Sequence, residues 1–100
     1  GACFFNYATF EKNAVFSNAQ YQDRLEFMHS KFLGHTDFSH SLFQGIARFN
    51  ATSVQANFDL TKAVFTYVPQ TKDLVKGDQS QIILNETTVL QNQPLLIDNF

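Results

Sequence analysis

Three imidazoles fall close together in the chain, at His29, His35 and His40. Histidine is the commonest metal ligand among side chains, and such a set could hold a metal ion or relay a proton. A single thiol stands at Cys3, a potential nucleophile if a base lies nearby. Asp23 and Glu26 form the one close acidic pair, the arrangement that general acid–base chemistry uses. Two sequons, Asn50-Ala51-Thr52 and Asn85-Glu86-Thr87, would matter in a secreted eukaryotic protein. No glycine-rich phosphate loop or nucleophile elbow accompanies these residues. What they can do depends on the elements that position them, and those elements are set by an aromatic spacing.

Phe5, Phe10, Phe16, Tyr21, Phe27, Phe32, Phe38, Phe43, Phe49, Val54, Leu60 and Phe65 follow one another at gaps that alternate between 5 and 6, giving an underlying period of 11. A second column, two residues earlier, is mostly small: Cys3, Ala8, Ala14, Ala19, Leu25, Ser30, Thr36, Ser41, Ala47, Thr52, Phe58 and Ala63. Residues two apart on a strand share a face, so each unit presents one small and one large side chain inward. Gaps of 5 and 6 make no stripe on a 3.6-residue helix, and an 11-residue helical repeat needs gaps of 3 and 4. Short extended pieces joined by tight turns and wound into a coil remain.

Units such as AVFSN and ARFNA resemble the pentapeptide-repeat family, and FSHSLFQGIARF is similar to its Phe-centred variants with alternating spacing. The resemblance covers roughly residues 3–67. It implies an all-β fold: a right-handed quadrilateral parallel β-helix with four units to a coil. With the extra residues a coil spans two periods, about 22 residues, so that residues 1–68 make about three coils. Residues 69–100, where the beat stops, form a C-terminal cap or extension. QIILN, TTVLQ and PLLIDNF lean to β structure, and Ile83/Val89/Leu95 and Leu84/Leu90/Leu96 repeat every six residues. They read as one more irregular turn or as a capping sheet, and a β-rich cap is favoured because solenoid ends need covering.

The coil assigns the chemical candidates a place. His29 and His40 lie half a coil apart and point from opposite faces, while His35 belongs to another corner; all three read as solvent-facing turn residues, with no metal and no cofactor implied. Cys3 occupies a small inward slot and reads as a core filler. Asp23 and Glu26 carry no sign of burial and read as solvated surface. Glu26 is expected beside Arg48 as an exposed pair, and Asp37 is expected to stack on Asp59. The extra residues form the corner columns Asn13/His35/Asn57 and Arg24/Ile46/Val68, and Gly34 and Gly45 precede two of them, where a turn would call for positive φ. Leu42 and Val64, outward-facing and one coil apart, adjoin Ile46 and Val68. These four residues are the candidate protein-binding patch; the competing reading is that the tail folds back over them.

Composition narrows the function. The chain has 100 residues, a net charge of −2 and 16% charged residues. That balance gives no reason to expect nucleic acid or an anionic membrane as partner, and no apolar run approaches the ~20 residues of a membrane-spanning helix. No leader is visible, which leans the reading to the cytoplasm, and one Cys leaves the redox compartment open. The expected function is a non-enzymatic protein-interaction or scaffold solenoid. The alternative is a DNA mimic that binds topoisomerase, as some pentapeptide-repeat proteins do. That role calls for a strongly acidic rod, whereas Glu11, Asp23, Glu26, Asp37 and Asp59 are balanced by Lys12, Arg24, Lys31, Arg48 and Lys62. Because the repeat is already in phase at Cys3, the first coil is expected to be uncapped. The chain would then be a piece of a longer one, or two copies would meet end to end as a homodimer.

Overall fold

The computed structural model describes residues 1–91. Among them every regular element is a two-residue β-strand, and the strands lie on four faces. The first face carries β1 (Cys3–Phe4), β5 (Leu25–Glu26) and β9 (Ala47–Arg48). The second carries β2 (Thr9–Phe10), β6 (Lys31–Phe32), β10 (Ser53–Val54) and β13 (Val75–Lys76). The third carries β3 (Ala14–Val15), β7 (Thr36–Asp37), β11 (Phe58–Asp59) and β14 (Ile82–Ile83). The fourth carries β4 (Gln20–Tyr21), β8 (Leu42–Phe43), β12 (Val64–Phe65) and β15 (Thr88–Val89). Each face is a parallel sheet, and the chain visits the four in turn. The result is a β-solenoid of about four turns. Cys3 pairs with Leu25, Thr9 with Lys31, Ala14 with Thr36 and Gln20 with Leu42, each pair separated by the length of one expected coil.

The aromatic beat is the filling of this coil. Phe27, Phe32, Phe38, Phe43, Phe49 and Phe65 are buried, and each meets a ring from the neighbouring coil or column. Rings one coil apart lie almost parallel. Phe16 and Phe38 have centroids 4.9 Å apart with planes 11° from parallel, and Phe43 and Phe65 are 4.4 Å apart at 7°. Between columns the rings meet edge to face, as Phe27 does with Phe38 at 78°. A two-residue strand has little ladder of its own, so burial of these rings, at ~1.5–3 kcal/mol each, supplies the driving force. In the third coil the bulk moves to the small slot. Phe58 is fully buried with its ring 5.5 Å from Phe38, and Leu60, also fully buried, stands at the large position.

Two kinds of corner explain the alternation of 5 and 6. In the five-residue units the chain turns tightly, with an amide bonded to the carbonyl three residues earlier: Ser30 to Phe27, Thr52 to Phe49, Ala63 to Leu60. The third residue of each such turn is left-handed, as a type II turn requires. These residues are Tyr7, Asn18, His29, His40, Ala51 and Lys62, at φ between 55° and 60°. None is glycine. Hydroxyls in the small column support these turns from the next coil. Ser30 donates to the Phe5 carbonyl, Ser41 to Phe16 and Thr52 to Phe27.

The six-residue units turn through one more residue, and here the glycines differ from expectation. Neither Gly34 nor Gly45 has positive φ. They are required by close approach instead. A Cβ on Gly34 would stand 2.5 Å from the Lys12 carbonyl carbon, and one on Gly45 2.4 Å from that of Asp23. Side chains in the corner column tie coils together: the Asn13 side-chain oxygen accepts the His35 amide at 3.0 Å, and His35 Nδ1 accepts the Asn57 amide at 3.1 Å.

Residues 70–90 form a fourth turn that continues the same sheets and covers the third coil. Gln70 bridges to Arg48 and Val75 pairs with Ser53, both at the regular coil separation. Phe58 then pairs with Ile82 and Val64 with Thr88, each at a separation larger by two. The two additional residues therefore fall in the corner between Lys76 and Ile82. Leu74, Ile82, Leu84 and Val89 pack on the core, while Leu90 is exposed. Leu95 and Leu96 lie outside the described residues.

Candidate functional site

The three histidines are not buried, and they occupy separate columns. His29 is the left-handed residue of the turn between the first and second faces, where its ring lies on Tyr7 at 5.0 Å and 4°. His40 takes the matching position between the third and fourth faces, and His35 sits in the Asn13/Asn57 column between the second and third. Half a coil separates His29 from His40, so the turns that hold them stand at opposite corners of the coil. Among the described residues, no three His, Cys, Asp or Glu side chains converge as metal ligands would.

Cys3 is exposed rather than a core filler. Its backbone is in the inward column, paired with the buried Leu25, but no coil lies beneath it among the described residues. Its neighbour is Tyr21. Burial first, and then the Cys3 thiolate, push the Tyr21 hydroxyl above its ordinary 10.0. That hydroxyl donates to the Phe16 carbonyl at 3.0 Å.

The acidic pair also resolves differently. Asp23 is exposed, as read, but Glu26 is buried, with only 6% of its surface accessible. It accepts from the Asn6 amide at 3.1 Å in the coil below and from Arg48 at 3.3 Å in the coil above, with the Arg24 guanidinium 3.8 Å away. The Glu26–Arg48 pair is thus formed, but on a half-closed surface. Residue order along the strand predicts that Glu26 faces outward; it does not reveal that three neighbouring side chains fold over it. Asp23 instead faces the N-terminal amine of Gly1, at 3.5 Å, so the two carboxylates point to different partners. Asp37 and Asp59 do lie in register on the third face. Each turns an oxygen to the amide two residues on, Asp37 to Ser39 at 2.8 Å and Asp59 to Thr61 at 2.9 Å, which offsets their mutual repulsion.

The apolar patch is assembled by the fourth face and the corner that follows it. Leu42 and Val64 are register partners in adjacent coils, both half-buried. Their column begins at Gln20 and ends at Thr88, so its middle alone is apolar. Ile46 and Val68, also half-buried, occupy the next corner one above the other, and Tyr67 beside them is 44% exposed. The other three outward columns are mostly polar in the same coils: Glu26/Arg48, Lys31/Ser53 and Asp37/Asp59. At the upper end of the patch the Val68 amide donates to the Gln91 side chain at 3.1 Å.

Both sequons have their hydroxyl engaged. Thr52 is buried and bonded to the Phe27 carbonyl, and Thr87 donates to the Leu60 carbonyl at 2.6 Å. Sequence reasoning missed the left-handed turn column. Its trace in the sequence is the residue two after every second large position, and of the six there only Asn18, His29 and His40 are types enriched in the conformation.

Comparison with family models, curated proteins and solved structures gives no match to this chain.

Proposed function

We propose that the chain is a pentapeptide-repeat solenoid that works as a non-enzymatic protein-interaction module, with the edge formed by Leu42, Ile46, Val64 and Val68 as its contact surface. The observation that carries this reading is the side-by-side stacking of two apolar columns where the neighbouring faces are polar. A rigid coil presents such columns at fixed strand spacing, ~4.8 Å, which favours binding because little conformational entropy is lost on docking. Contiguous apolar surface rimmed by polar residues is a mark of an interaction site. The equal numbers of acidic and basic residues in residues 1–68 weigh against mimicry of DNA.

The test is a double substitution, Leu42→Lys with Val64→Lys, against a surface control, Thr9→Lys on the second face. A partner captured by the wild type and the control but lost with the double variant supports the reading. Limited proteolysis at Lys72 and Lys76 checks that the fold is intact. Equal capture by all three proteins, with unchanged cleavage, removes the edge as a contact surface.

A further inference from the structure

We draw no further inference here: the strongest candidate, the half-exposed apolar edge where the fourth face meets its following corner, belongs to the site already described, and nothing in the structure shows what covers it.

Discussion

Replacing Phe38 by alanine tests the packing scheme most directly. Phe38 is fully buried. It stacks on Phe16 at 4.9 Å and meets Phe27, Phe43, Phe49 and Phe58 with centroids 5.5 to 5.8 Å away. Loss of the transfer free energy of the ring costs ~2–3 kcal/mol. The cavity adds to this, because roughly 100 Å³ of ring volume at ~24 cal/mol per Å³ contributes about 2 kcal/mol if nothing collapses. Collapse is restricted here, since the neighbouring rings hang from strands on different faces, each held by a ladder to at least one adjacent coil. The expected loss is therefore ~4–5 kcal/mol, near the top of the usual range for Phe→Ala. Urea denaturation followed by circular dichroism reads it as a midpoint lowered by ~3 M, for a slope of about 1.5 kcal/mol/M. Two controls accompany it. Phe5→Ala removes a ring that is 37% exposed and stacked on one side only, on Phe27. That change should cost ~1–2 kcal/mol. His40→Ala, two residues beyond Phe38 and outside the core, should stay within about 0.5 kcal/mol of wild type. Equal losses for Phe38→Ala and His40→Ala would refute the division into an inward column and an outward turn, and a Phe5→Ala loss as large as that of Phe38→Ala would refute the dependence of ring burial on a coil packed from each side.

The corners and the first coil yield three more tests. Gly45→Ala should destabilise by ~1–3 kcal/mol although its φ is ordinary, because the new methyl meets the Asp23 backbone; a neutral result in thermal melting would show that the coils can separate there without cost. Ala51→Gly should stabilise by ~0.5–1 kcal/mol, since it relieves a left-handed alanine at φ 56°; a lowered melting temperature would contradict the turn assignment. The raised Tyr21 favours its neutral form in the fold, so its contribution to stability is intact below pH 10.0 and is lost as pH rises through the raised value. In a tyrosinate absorbance titration the wild type should show a component above 10.0 that Tyr21→Phe removes. If Tyr21→Phe instead lowers the amplitude of the component at 10.0 and the wild type shows none above it, Tyr21 is not held as described.

The period, the coil length and the inward columns were legible in the order of residues alone. They follow from a local constraint repeated many times: each face of the coil needs one large filler, and a two-residue strand leaves no freedom about which side chain supplies it. The pairing of Leu42 with Val64, of Glu26 with Arg48 and of Asp37 with Asp59 could be read from the same count along the chain. Events between coils became visible only once the coils were stacked. Gly34 and Gly45 are needed for the approach of the backbone in the preceding coil, which no local turn preference encodes. Glu26 is buried because Asn6, Arg24 and Arg48 close over it from its own and two adjacent coils. Cys3 is exposed although its slot faces inward, because among the described residues only the second coil packs against it. Residues 70–90 join the solenoid despite losing the beat, because backbone ladders accept any strand that arrives in register, and a corner with two added residues restores that register. Periodicity fixes which residues repeat together; contacts between repeats depend on all the side chains at one height of the stack, and these are far apart in the chain.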